Sequence, residues 1–412
     1  MKWIKSHRWP TGILAILLAI ITLVFCSVFY LVFYSDLYLF LRPLPSDFDA
    51  AIIQEMQAGK APGAAALIIR NGQIESAKGY GLADPETGRA ATSDTLFTIA
   101  SISKTVTATA LMTLYERGKF GLDDDIDRYL PFEVRNPNYP NDPITFRMLL
   151  SHTSSIQDSD VYDQYYTLQK TPVLPDSPIP LGDYLRDYLS AGGKLYNKLD
   201  NFIKDAPGTT YTYSNTGFGL IGYLVERISG MPFDQYCKQA VFEPLGMEHA
   251  AWFFKNVDAN MMAVPYGYDT LLRQPKRYGF YSYPTYPDGT LKTSVNELAR
   301  FLTVFINDGK TLEGKLFLKP ETVKEMLTLH RYPGMDPGDF VGLAWHADET
   351  GVYYYDGGDP GISTFTYFNP DTNQGAIFFS NGGDVIDAVG IARTTLFYIF
   401  VSSTLQKQMV AP

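Results

Sequence analysis

Residues 101–118 read SISKTVTATALMTLYERG. The spacing predicts a helix from Ser101 to Arg117, closed by Gly118 and preceded by the turn-like pair Ser93-Asp94. On such a helix Ser101 and Lys104 stand at i and i+3 and share one face. A serine hydroxyl is a weak nucleophile until a neighbour takes its proton, and an amine a few ångströms away lowers that barrier. A serine at a helix start also has free backbone N–H groups and the positive end of the helix dipole beside it. The plainer alternative is an N-cap serine with a surface lysine one turn later.

Toward the N-terminus, Ala64–Arg70 (AAALIIR), the pair Asn71-Gly72 and Gln73–Tyr80 read as a β-hairpin, since Asn-Gly supplies the positive φ angles of a two-residue turn. Toward the C-terminus, residues 131–211 are rich in Pro, Asn, Asp and Tyr, and Thr216–Ile228 and Val295–Phe305 read as two further helices. Strand-like runs return at Val352–Tyr355, Thr364–Phe368 and Ala376–Phe379, and Asp384–Leu405 reads as a final core helix. This order implies one α+β body whose sheet is assembled from both chain ends around a helical middle.

Two other short runs carry chemical groups. Tyr213-Ser214-Asn215 directly precedes the helix expected over Thr216–Ile228. A phenol there can relay a proton between nucleophile and leaving group, and the Asn215 amide can orient a lysine and a substrate carbonyl. Tyr139-Pro140-Asn141 and Tyr367-Phe368-Asn369 share the pattern but read as a loop and a strand end. Tyr355-Asp356-Gly357-Gly358 ends a strand-like run, and a strand-edge N–H there could join the N–H of Ser101 in an oxyanion hole. An ordinary glycine-rich turn is the plainer reading. His152, in LLSHTSS, reads as a structural or pocket-edge residue. No nucleophile elbow, zinc-protease motif, P-loop or dinucleotide fingerprint occurs, and the five histidines are scattered without metal-ligand spacing.

Composition narrows the class further. The chain has 412 residues, 46% hydrophobic and 19% charged, with 29 Tyr and 26 Phe, which excludes a disordered chain. A net charge of −10 argues against nucleic acid as a partner. The charge is uneven: residues 1–42 carry Lys2, Lys5, Arg8 and Arg42 against Asp36, a net of +3, which leaves −13 for the rest. Ile13–Tyr34 is 22 residues without a charge, long enough at about 1.5 Å per residue to cross a hydrocarbon core of about 30 Å. The expectation is therefore a cytoplasmic tail (1–12), one N-terminal transmembrane helix (13–34), a linker (35–47) and an extracytoplasmic body (48–412), with the cell membrane as partner and the N-terminus inside. A cleaved signal peptide is the competing reading. Its apolar stretch would be shorter and end in small residues. Cys26 and Cys237 fall in different regions, so no internal disulfide is expected.

Taken in order, the three short motifs resemble those of the serine β-lactamase and penicillin-binding-protein superfamily, and most of all its class C β-lactamase-like branch of esterases and D-amino-acid peptidases. The resemblance extends through PGAAALIIRNGQIESAKGYGLAD (62–84), residues 94–131, ITFRMLLSHTSS (144–155), PGTTYTYSNTGFGLIGYLVERISG (207–230) and YPDGTLKTSVNELARFL (286–302). It implies an α/β sandwich with an antiparallel sheet flanked by helices and a helical subdomain. It implies Ser101 as the acyl-forming nucleophile, Lys104 as its helix-mate, and Tyr213 as general base and proton shuttle. Ser101 and Gly358 would supply the oxyanion hole, while Asn215, Tyr355, Asp356 and Gly357 would contact a small-molecule or peptide substrate, with no metal or cofactor. The third motif departs from the family pattern, which has Lys-Thr-Gly or His-x-Gly where this chain has Tyr355-Asp356-Gly357. The resulting expectation is a membrane-anchored serine hydrolase of amides or esters. A catalytically silent scaffold and a cell-wall D,D-peptidase are the alternatives.

Overall fold

In a computed structural model of the protein, which describes residues 48–165, 167–168, 176–269, 272 and 274–382 together with Thr22, the hairpin supplies two adjacent antiparallel strands of the sheet. Strands β1 (Gly63–Arg70) and β2 (Gln73–Asp84) are joined by Asn71 and Gly72, with φ of 52° and 71°. The remaining sheet strands are β3 (Arg89–Ala90), then, after a separate pair β4 (Phe97–Thr98) and β5 (Lys292–Thr293), β6 (Phe340–Val341), β7 (His346–Ala347), β8 (Tyr353–Asp359), β9 (Ile362–Asn369) and β10 (Gln374–Ser380). Their order across the eight-stranded sheet is β6-β7-β8-β9-β10-β1-β2-β3, all antiparallel. The first and last described strands of the sheet meet where β1 pairs with β10, with Ala64 opposite Ser380 and Ile69 opposite Gly375.

The unbroken apolar run of β1 is explained by layers on both sides. Ala64 and Ala66 join Phe378, Ile52 and Met56 in one cluster, the last two from helix α1 (Phe48–Ala58). Ala65, Leu67 and Ile69 point the other way into the main core. That core also takes the apolar side chains of α2 (Ser103–Glu116), α3 (Asn215–Ser229) and α4 (Val295–Ile306). Helix α2 is buried from Ser103 to Leu114 although it carries threonine at every second position from 105 to 109. It tolerates them because each hydroxyl finds a carbonyl: Thr105 donates to Ile102 O, Thr109 to Thr105 O (both 2.8 Å) and Thr107 to Pro287 O (2.6 Å).

Three sequence expectations change. Ser101 lies on a 3-10 turn, Ala100–Ile102, and the α-helix begins at Ser103. The strand expected to stop at Tyr355 continues to Asp359, because Gly357 and Gly358 pair with Thr364 and Ser363 of β9 and sheet pairing overrides the turn tendency of two glycines. The transmembrane helix is withdrawn: among the described residues no helix is long and apolar enough to cross a membrane. The segment 13–34, Thr22 apart, lies outside the described residues, as does the helix expected over 384–405. The membrane partner and the membrane location rested on that helix and are withdrawn with it. The sandwich of helices and antiparallel sheet stands.

Candidate active site

The 3-10 turn holds Ser101 beside the sheet. Ile99 N–H donates to Leu291 O (2.9 Å), and Thr364 of β9 donates to Ile99 O (2.8 Å). Ala100 carries a φ of 45°, a left-handed conformation that an L-residue enters only when its surroundings enforce it. Strand β8 can come this close because position 357 is glycine: a Cβ there would lie 2.5 Å from Ile99 O and 3.0 Å from Ser101 N. Gly358, next along, is exposed at the same edge.

Lys104 sits one turn into the core with no exposed surface. Its ammonium donates to Ser101 Oγ (3.0 Å) and to the carbonyl of Asp288 (2.8 Å), and it lies 5.1 Å from the centre of the Tyr213 ring. Burial alone would lower its pKa, but the Tyr213 hydroxyl and the carboxylates of Asp288 and Asp158 outweigh it, so the pKa is raised and the amine stays charged. The Asp288 carboxyl, itself buried, accepts from Tyr162 at both oxygens (3.1 Å), and burial pushes its pKa up to about 7.

The Tyr213-Ser214-Asn215 run is fixed by the cap of α3. Ser214 Oγ accepts from Gly217 N–H (2.9 Å). The Asp158 carboxylate accepts from the N–H groups of Asn215 (2.7 Å) and Thr216 (2.9 Å). These bonds satisfy donors that a helix start leaves orphaned, and the acid complements the helix dipole. Ser214 N–H donates to His152 Nδ1 (3.1 Å), and the His152 ring stacks on Tyr213 at 4.5 Å. His152 is buried and held at φ 56°. Burial first, and then nearby His346 and Lys104, push its pKa well below the ordinary value, so the ring is neutral.

Tyr355 of β8 closes the far side. It is buried, and its hydroxyl lies 3.3 Å from His152 Nε2 and interacts with the Tyr213 hydroxyl. His346 packs 5.1 Å from the Tyr355 ring and bonds Tyr211 through Nε2 (2.9 Å). Burial lowers its pKa to about 4.

The fold therefore brings Ser101, Lys104, Tyr213, Tyr355 and Gly357 together. Asp356 is exposed on the opposite face of β8 from Tyr355, and the Asn215 side-chain amide makes no hydrogen bond among the described residues. Asp158, Asp288 and Tyr162 were missed by the sequence reading, and His152 was placed only at the pocket edge. Asp158 sits in a polar loop and Asp288 ends a short buried 3-10 turn, Tyr286–Asp288, neither with a periodic signal. His152 and Asp288 could have been found by their places in LLSHTSS and YPDG, both inside resembling segments. Among the described residues no group of three or more His, Cys, Asp and Glu is arranged to hold a metal.

Comparison with known proteins agrees with this geometry. The family model described as Beta-lactamase matches residues 48–396. Protein flp of Staphylococcus aureus (strain MW2) is 26% identical over 337 residues, covering 81% of this chain and 62% of that protein. The chain thus spans under two thirds of the length of that relative. Esterase EstB of Burkholderia gladioli is 32% identical over 225 residues, 54% of this chain and 55% of the esterase. Among solved structures, a D-amino acid amidase from Ochrobactrum anthropi SV3 superposes with a TM-score of 0.67 at 18% identity, over 86% of this chain and 96% of the amidase. A penicillin-binding protein from Bacillus halodurans does so with a TM-score of 0.66 at 23% identity, over 85% and 98%. These two likenesses concern the fold. With the family model matched along most of its length, the chain belongs to the beta-lactamase family, within the β-lactamase and penicillin-binding-protein superfamily of serine hydrolases.

Proposed function

We propose that the protein hydrolyses an amide or ester through an acyl-enzyme on Ser101. The observation that carries this reading is the Lys104 ammonium, 3.0 Å from Ser101 Oγ and facing the Tyr213 ring. A charged Lys104 is a donor and not a base, so Tyr213 takes the proton. Ser101 Oγ bonds to the substrate carbonyl carbon as its proton passes to Tyr213, whose phenolate Lys104 stabilises. The oxyanion accepts from the N–H groups of Ser101 and Gly358. The bond to the leaving group breaks, and Tyr213 returns the proton to the departing nitrogen or oxygen. Water, giving its proton to Tyr213, then attacks the acyl carbon. The acid leaves and Ser101 Oγ regains the proton. Asn215, whose amide makes no hydrogen bond among the described residues, orients the substrate carbonyl.

Where the family pattern has a cation or an imidazole, this chain has the uncharged, buried Tyr355, and the exposed Asp356 carboxylate follows it. A neutral or cationic end, such as an amine, fits these groups better than a carboxylate. A fluorophosphonate probe tests the core of the reading. Labelling that disappears in Ser101→Ala is expected, and labelling that persists in that variant would overturn it. Turnover of an amino-acid amide against a matched free-carboxylate peptide tests the substrate preference. Faster turnover of the carboxylate would refute it.

A further inference from the structure

Resting on the reading of Ser101 as nucleophile and Tyr213 as base, we propose that His152 and Tyr355 are positioning residues that aim a hydrogen-bond donor at the Tyr213 oxygen, doing without charge what a cation would do there. The direction of each bond follows from its neighbour. A backbone N–H can only donate, so His152 Nδ1 accepts from Ser214. A neutral imidazole has one N–H, and with Nδ1 accepting, that proton is on Nε2. Nε2 therefore donates to the Tyr355 hydroxyl oxygen, 3.3 Å away. The phenol's own proton is then free to turn to the Tyr213 oxygen, with which Tyr355 interacts.

The surroundings keep this chain in one sense. Burial first, and then the neighbouring Tyr213 and Tyr211, hold the pKa of Tyr355 well above its ordinary value, so it remains a donor. The groups around the pair are Lys104 from α2, Tyr211 and His152 from the loops before α3, His346 from β7 and Asp356 from β8. Lys104 stays charged, while His152 and His346 stay neutral through the physiological range. Tyr213 thus stands between one cationic donor and one neutral donor.

The test is the pH profile of kcat/KM with a neutral ester. A hydrogen bond to a charged acceptor is worth about one to two pH units in the acceptor's titration. Tyr355→Phe keeps the ring and removes the donor. The ascending limb should move up by about one unit and activity at pH 7 should fall by about tenfold, with KM little changed. His152→Asn keeps an acceptor for Ser214 N–H and tolerates the left-handed backbone, yet removes the Nε2 donor. It should move the limb the same way by less, and the double variant should move it no further than Tyr355→Phe alone.

An unshifted limb in a folded Tyr355→Phe protein would overturn the proposal, as would additive losses without a pH shift. Should Tyr355→Phe not fold, the His152→Asn profile decides in the same way. Failure of the wild-type protein to take a fluorophosphonate at Ser101 would overturn the functional reading and this proposal together. Normal Ser101 labelling with no shift would overturn this proposal alone.

Discussion

Among the described residues two lysines are wholly buried, Lys104 and Lys292, and they sit in outwardly similar places. Lys104 donates to the carbonyl of Asp288 (2.8 Å) and lies 5.1 Å from the Tyr213 ring centre. Lys292, on β5, donates to the carbonyl of Trp252 (2.7 Å) and lies 3.9 Å from the Phe254 ring centre. Their titrations nevertheless part. Burial lowers Lys292 to about 7, with Asp176 offsetting only part of the effect. The same burial acts on Lys104, but Tyr213, Asp288 and Asp158 carry it above its ordinary value. Neither an aromatic face nor one carbonyl keeps an ammonium charged once water is gone. Facing acidic groups do, because desolvating an ion costs several kcal/mol. The protein keeps its buried cation at the serine, where the charge has a task.

The sharpest way to break the comparison is to remove the useful charge. Lys104→Met should lower kcat/KM for an ester by about a thousandfold or more, about 4 kcal/mol of transition-state stabilisation. Steady-state kinetics measure it, and a loss under tenfold would mean that the lysine is not needed. Asp158→Ala comes next. It removes two of the hydrogen bonds at the start of α3 and one of the carboxylates supporting Lys104, so thermal or urea unfolding should show a loss of about 1–2 kcal/mol.

Lys292→Met should have the smallest effect, and in the opposite direction. The folded pKa of about 7 lies below the unfolded value of about 10.4. Between those values the unfolded chain binds the extra proton, so wild-type stability rises with pH across the window. Below pH 7 both states hold the proton, and the penalty of burying it is fully present. Removing the amine should therefore stabilise the protein by about 1 kcal/mol near neutral pH, since the Trp252 carbonyl loses its donor and offsets part of the gain. It should also flatten the pH slope. An unchanged slope in urea titrations at pH 7 and 10 would place the charge on Lys292 after all.

Features written in a few consecutive residues were legible before the structure. Ser101 and Lys104 are three apart, Tyr213 stands at a helix start, and Asn71-Gly72 marks a turn, so local spacing was enough to find them. The partners that tune these groups come from far along the chain. Asp158 caps a helix 57 residues later, and the Asp288 carbonyl meets Lys104 across 184 residues. No periodicity announces such contacts. Strand β8 was read short because glycine's turn tendency is a local signal, whereas its pairing with β9 is decided by the sheet. The apolar run at 13–34 was read by length and hydropathy alone, and no membrane-spanning helix is found among the described residues.

The central claim, that Lys104 is a cation while Lys292 titrates near neutrality, is open to lysine side-chain NMR. With 13Cε- and 15Nζ-labelled lysine, and Lys104→Met and Lys292→Met as assignment variants, each amine can be followed from pH 5 to 10. The Lys104 signal should stay that of an ammonium throughout, while the Lys292 signal moves through a midpoint of about 7. A Lys104 midpoint near neutral pH would contradict it, and would make the lysine rather than Tyr213 the base that activates Ser101.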